Sequence, residues 1–306
     1  MKKILFLVLL VGSSLVMAAK DYKFIAPVPP GGGVGDVISR KLAQMYLERY
    51  GCNCSVLNIP GGNHIPSIAQ FKKEPVAAIL LTTTSAVINY VQQDNLPYSL
   101  NDFNVIASPG NTVNLYYTAS NSEIKTVNDL KRLDKTKFPF IVGSSQATTL
   151  NVNALSQELG LDIQTILYKG YNEAAIDVIG GRALVGLTVV TVASTTELEK
   201  EGRIRFIAST DHKPFTVNGR TVPSVSSRFG IPQWNNTVWV AVTPGDGPEQ
   251  KEFAKNIKTL MNSQEFKQEM IRVQVSLNRP TGLTPVEEIE HARALLLKNK
   301  RYLEAK

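Results

Sequence analysis

Along nearly the whole chain, short apolar, β-rich runs alternate with stretches whose apolar residues recur every three or four positions. The first pattern predicts strands at 23–26, 55–58, 77–81, 104–107, 113–118, 140–142, 164–167, 184–190, 204–208 and 237–243. The second predicts helices near 36–50, 64–73, 85–93, 126–133, 148–159, 172–179 and 195–201. In the first of these, Val37, Ile38, Leu42 and Met45 lie at helical spacing. End signals support the boundaries. Thr126 is followed by Asp129, and Gly160 and Gly202 stand just past helix ends. Thr284-Pro285-Val286-Glu287 is a capping box with proline in the first turn. Strands alternating with helices imply the α/β class, with helices on both faces of the sheets. Ligands bind such sheets beyond the carboxyl ends of the strands.

The loops at those ends share a composition. After 23–26 comes Pro27-Val28-Pro29-Pro30-Gly31-Gly32-Gly33, and after 77–81 comes Thr82-Thr83-Thr84-Ser85. After 140–142 comes Gly143-Ser144-Ser145-Gln146-Ala147-Thr148-Thr149, and after 164–167 comes Tyr168-Lys169-Gly170-Tyr171. One such loop is usually an N-cap. Four in the same topological place predict a polar cleft of hydroxyls and helix N-termini. The glycine loop has two readings: a tight turn capped by Asp36, or an anion site in which backbone N–H groups approach a carboxylate or phosphate. A dinucleotide fingerprint needs glycine where Asp36 stands, and a P-loop needs a Gly-Lys-Ser/Thr that does not follow.

The ends and the composition narrow the class. Lys2 and Lys3, the apolar run Ile4–Val11 and Val16-Met17-Ala18 form a secretory signal over residues 1–19. That run is too short to span a bilayer, so a soluble, exported protein is expected. The formal net charge of +7 falls by two when Lys2 and Lys3 leave. Basic residues are scattered with no basic, aromatic-interleaved strip, which argues against nucleic acid. Cys52 and Cys54 are the only cysteines, and the only histidines are His64, His212 and His291, without paired metal-ligand spacing. A Cys-x-Cys bridge closes a very small ring, so the pair reads as a peculiarity of one surface turn. His64 follows Pro60-Gly61-Gly62-Asn63 and reads as a helix cap. Neither a nucleophile elbow nor a His-Glu-x-x-His motif is present. Lys169 reads as a solvated or ligand-pairing lysine.

Taken in order, these motifs resemble the Bug-type extracytoplasmic receptors of tripartite tricarboxylate transporters. The segments that carry the resemblance are Pro27-Val28-Pro29-Pro30-Gly31-Gly32 with Asp36, Asn58-Ile59-Pro60-Gly61, Thr82-Thr83-Thr84-Ser85, Leu96-Pro97-Tyr98 with Asp102-Phe103, Leu167-Tyr168-Lys169-Gly170, Gly180-Gly181, and Val222-Pro223-Ser224-Val225. The resemblance implies a two-lobed periplasmic-binding-protein (type II) clamshell, with two mixed sheets flanked by helices and joined by two hinge strands, 113–118 and 237–243. Lobe one would be residues 20–115 plus 240–306, and lobe two 116–239. The implied function is capture of a small carboxylate between the lobes, one carboxylate being gripped largely by backbone N–H groups and water. The implied partners are the membrane subunits of the transporter. A periplasmic monomer is expected, without cofactor or catalysis. With the loops, the resemblance places the ligand against Pro30, Gly31, Gly32, Gly33, Thr83, Thr84, Ser85, Ser144, Ser145, Gln146, Thr148, Tyr168, Lys169, Gly170, Val190 and Thr191. Two acidic positions of the family are replaced here, by Gly186 and by residues at 189–191, which points to a ligand without a free amine. A receptor that feeds a membrane sensor, an exported enzyme and a structural interaction protein are the alternatives.

Overall fold

The computed structural model describes residues 20–82, 89, 91, 95–132, 140–144, 146–232, 236–277 and 284–303. Its first half follows the alternation of the sequence: β1 (Asp21–Ala26), α1 (Val34–Tyr50), β2 (Asn53–Asn58), α2 (Ile65–Phe71), β3 (Ala77–Thr82), β4 (Asn104–Thr112) and β5 (Asn114–Ala119). Next come β6 (Phe140–Gly143), α3 (Gln146–Leu159), β7 (Gln164–Leu167), α4 (Tyr171–Ile179), β8 (Val185–Val189), α5 (Ala193–Lys200) and β9 (Ile204–Ser209). The chain closes with β10 (Phe215–Val217), β11 (Arg220–Val222), α6 (Val225–Phe229), β12 (Asn236–Val242), α7 (Pro248–Asn262), α8 (Gln264–Arg272) and α9 (Pro285–Lys298).

Two five-stranded mixed sheets result. The first has the order β2-β1-β3-β12-β4, the second β7-β6-β8-β5-β9, and β10 and β11 form a separate hairpin. In the first sheet the period of two sorts the side chains between faces. Tyr22, Phe24, Ala78 and Leu80 pack with Ile38, Leu42, Met45 and Tyr46 of α1 and with Phe253 and Ile257 of α7. Ile25, Ala77, Ile79 and Leu81 pack on the opposite side with Ile68 and Phe71 of α2. Both faces are covered, which is why β3 is an unbroken apolar run.

The chain changes sheets at Val113. The predicted crossing strand 113–118 is β5, which lies wholly in the second sheet, paired antiparallel with β8 and β9. The crossing is the joint between β4 and β5. The predicted strand 104–107 continues to Thr112 through Ser108-Pro109-Gly110 because β4 is an edge strand, paired only with β12. A proline is tolerated there. Gly110 lets the backbone of Ser276 approach closely, and Asn111 and Ser276 form a bridge. The second predicted joining strand, 237–243, is β12 and belongs to the first sheet.

Several other expectations are corrected or extended. The helix expected at 126–133 is a 3-10 turn at Val127–Arg132. The helix expected at 85–93 falls largely outside the described residues. The helices α6, α7 and α8 and the β10–β11 hairpin were not foreseen. Cys52 and Cys54 do not merely share a surface turn: they form a disulfide, and Cys52 is buried in the core beside α1. The capping box at Thr284 forms as predicted, its hydroxyl accepting from Glu287 N–H. Beyond α9, residues 300–302 pack on α3. Asn153 Nδ2 donates to Tyr302 O at 3.0 Å, and Tyr302 Oη donates to Glu158 at 2.7 Å. Among the described residues, no helix is long and apolar enough to cross a membrane.

Candidate ligand-binding cleft

The loop between β1 and α1 is built around one buried carboxylate. Asp36, 4 % exposed, accepts from Gly31 N–H at 2.9 Å and Arg40 Nε at 3.0 Å through Oδ2, and from Asn58 Nδ2 at 2.7 Å through Oδ1. Asn58 Nδ2 also reaches the carbonyl of Val28 at 3.0 Å. Burial alone would raise the Asp36 pKa, but the bonds from Arg40, Gly31 and Asn58 hold it below the usual carboxylate value. Asp36 thus ties β1, β2 and the glycine turn together, and its charge is turned away from the cleft.

This accounting changes which donors the turn can offer. Gly31 N–H is spent on Asp36, and Gly32 N–H closes the turn on Pro29 O at 2.8 Å. Gly32 carries no side chain because a Cβ would stand 2.7 Å from that same carbonyl. Val34 N–H donates to Thr191 Oγ1 at 3.1 Å, across the two lobes. Among the described residues Gly33 and Gly35 keep N–H groups without a partner, at the positive end of a 17-residue helix. Gly33 has φ +109°, and a Cβ there would lie 3.3 Å from Val192 Cγ2 of the other lobe.

Loops of both sheets converge on a cleft that is open to solvent. The first sheet contributes Pro27–Pro29 and Gly32–Gly35, then Gly61, Asn63 and His64 after β2, with Leu80, Leu81, Thr112 and Val238 as walls. The second contributes Ser144 and Ala147 after β6, Lys169 and Tyr171 after β7, and Val189 at the end of β8. No Asp or Glu is among these described lining residues, and Lys169 is the permanent cation among them.

Of the predicted site residues, Gly32, Gly33, Ser144 and Lys169 line this cleft. Thr191 stands at its edge and caps α1. Gly170 abuts Pro29 of the opposite lobe, where a Cβ would come within 3.2 Å of the proline ring. Pro30 and Gly31 are on the exposed outer side of the turn. Thr148 is buried beneath Gly143, and the Tyr168 hydroxyl turns outward to Asp177. Val190, 2 % exposed, sits in the core of the second lobe. Gly186 is covered by the ring of Tyr117 and does not face the cleft. Thr83, Thr84, Ser85 and Ser145 lie outside the described residues, as does the side chain of Gln146.

The residue missed in sequence is His64. It occupies the N-cap position of α2, yet its side chain makes no capping bond. The turn that carries it is left-handed at four successive residues, with φ of +88° and +52° at Gly61 and Gly62 and +50° and +71° at Asn63 and His64. Such a conformation at non-glycine residues costs on the order of 1–3 kcal/mol each and persists only where neighbours enforce it. Here Asn89 Nδ2 donates to Asn63 O at 2.6 Å and Ser67 Oγ to His64 O at 2.7 Å. His64 is a lining residue of the cleft, it is buried, and desolvation lowers its pKa to about 4. The signal available in sequence was Gly-Gly-Asn, which favours left-handed backbone.

No protein-family model matches the chain. A UPF0065 protein from the tcbD-tcbE intergenic region of Pseudomonas sp. strain P51 is 24% identical over 231 residues, covering 73% of this chain and 68% of that protein. Protein BugT of Bordetella pertussis is 25% identical over 245 residues, covering 76% of this chain and 73% of BugT. The chain is similar in sequence to Bug-type proteins. The periplasmic binding protein BugD has the same fold, with a TM-score of 0.73 at 17% identity over 94% of this chain and 99% of its own. MatC of Rhodopseudomonas palustris, solved with bound malate, also gives 0.73, at 13% identity over 94% of this chain and all of its own (100%). An R. palustris protein solved with adipate gives 0.73 at 18% identity, over 94% of this chain and 97% of its own. The Bug-like chain therefore has the two-lobed fold of periplasmic binding proteins, as its motifs implied.

Proposed function

We propose that this protein is an extracytoplasmic solute-binding protein that captures a small carboxylate between its lobes and delivers it to the membrane subunits of a tripartite tricarboxylate-type transporter. The observation that carries this reading is the composition of the cleft. It presents unpaired N–H groups at the start of α1, the Ser144 hydroxyl and the Lys169 ammonium, with no carboxylate among its described lining residues. Helix N-termini and a lysine favour an anion. An amine would be buried without a counter-charge, which is costly. The ligand is therefore a mono- or dicarboxylate lacking a free amine. The malate and adipate held by two proteins of the same fold are consistent with this class.

The protein acts as a periplasmic monomer that binds without turnover, and residues 1–18 or 1–19 are removed on export. With β5 whole in the second sheet and β12 whole in the first, the expected lobe boundaries at 115/116 and 239/240 move to 113/114 and 235/236, and residues 300–302 are strapped from lobe one onto lobe two. N-terminal sequencing of exported protein should begin at Ala19 or Lys20. Thermal shift against C4–C6 acids, aromatic acids and amino acids tests the ligand class. Stabilisation by several carboxylates is expected. Stabilisation by aspartate or glutamate alone, with none by their deaminated analogues, would overturn it.

A further inference from the structure

We propose that His64 is the specificity contact of the cleft, a neutral imidazole that hydrogen-bonds a hydroxyl on the carbon chain of the carboxylate. This rests on the carboxylate-binding reading above and adds to it which acids are preferred.

Three observations converge on the residue. First, His64 lines the cleft, and Nδ1 is sealed from solvent with no hydrogen-bond partner among the described residues. Buried polar atoms without partners are uncommon in folded proteins, and one in a residue that lines a binding cleft calls for a partner that a ligand or an ordered water can supply. Second, the surroundings are uncharged and largely apolar. Leu80, Leu81 and Val238 wall the same cleft, and desolvation is the cause that keeps the ring neutral. A neutral imidazole offers one donor and one acceptor, the complement of a hydroxyl. A carboxylate is served better by Lys169 and by the α1 N–H groups on the other walls. Third, the turn is pinned. His64 N–H donates to Gly61 O at 3.1 Å, and the carbonyls of Asn63 and His64 are both held by side chains. The ring is presented from a fixed backbone, as specificity at a hydroxyl requires.

The test uses acid pairs that differ by one hydroxyl, malate with succinate, 2-hydroxyadipate with adipate, and citrate with tricarballylate, measured by calorimetry on the full mature chain. The wild type is expected to bind the hydroxylated member about three- to tenfold more tightly, the worth of one ordinary hydrogen bond. In His64→Leu the ratio of the two affinities within each pair should fall to about one. The left-handed backbone makes folding of His64→Leu uncertain, so His64→Asn is measured beside it. Asparagine suits that backbone, and it is too short to reach the same hydroxyl. A nitrogen-15 spectrum of the imidazoles adds a readout that a purely structural histidine would not move. Saturating hydroxy acid should shift the His64 resonances while the ring stays neutral. Acids that bind with no hydroxyl preference, a preference that survives both substitutions, or unmoved His64 resonances would each overturn the assignment and leave the carboxylate reading standing. If no carboxylate in the panel binds the wild type, the carboxylate reading itself fails and the assignment falls with it.

Discussion

The backbone N–H of Val34 donates to the hydroxyl of Thr191, 157 residues further along, so one lobe supplies the missing acceptor at the start of the other lobe's first helix. An N-terminal helical donor lacks an intrahelical partner, and here the partner exists only while the lobes are together. The bond couples the packing of the two lobes to the capping of the helix.

Thr191→Val keeps the shape of the side chain and removes the acceptor. The closed arrangement should weaken by about 0.5–1.5 kcal/mol, the value of one hydrogen bond. Small-angle scattering of the free protein should then give a larger radius of gyration than the wild type. An unchanged profile would show that the bond does not hold the lobes.

Gly33→Ala tests the same seam by bulk. At φ +109° an alanine is strained, and its methyl would press on Val192. The expected result is a folded protein that fails to compact when a binding acid is added. Gly32→Val differs in cause. Its Cβ would collide with Pro29 O, so the turn itself should break, and binding should be lost together with thermal stability.

Lys169→Met removes the cleft's lysine cation and keeps the stem. Affinity for a dicarboxylate should fall about tenfold, and the wild type's loss of affinity with added salt should flatten. Calorimetry at two ionic strengths reads both. Equal affinity and equal salt response in the variant would place Lys169 in solvent with no role.

The two perturbed groups beside the cleft act in different pH windows. His64 has its pKa lowered to about 4 from an ordinary 6.5 by burial. The unfolded chain therefore takes up the proton first. Its contribution to stability is complete above 6.5 and is lost as pH falls towards 4. Asp36 is also depressed, from an ordinary 3.8, so its contribution is present above that value and is lost as pH falls further. Urea unfolding at pH 7 and pH 5 should show a loss of stability that shrinks in His64→Gln. Asp36→Asn should lower stability at both values and flatten the curve only below about pH 4.

The alternation of short apolar runs with helical periodicity determined by itself that this is an α/β protein, and all ten predicted strands exist. Periods of two and 3.6 are local, so they survive without knowledge of the fold. The loops that face the cleft were legible for the same reason: in an α/β sheet they must lie at the carboxyl ends of the strands. What those loops do with their atoms was not. That Asp36 consumes the Gly31 donor depends on Asn58 and Arg40 folding over it. That Val190 belongs to a core and Gly186 lies under Tyr117 depends on how the second sheet is covered. Read along the chain, His64 is a cap. Asn89 and Ser67 hold its turn left-handed, and the side chain makes no cap, in a residue that lines the cleft. Backbone hydrogen bonds within a strand–loop–helix unit follow from neighbouring residues. The partner of a side chain, or of an orphan N–H, is chosen by whichever distant group packing brings within about 3 Å, and that is decided only in three dimensions.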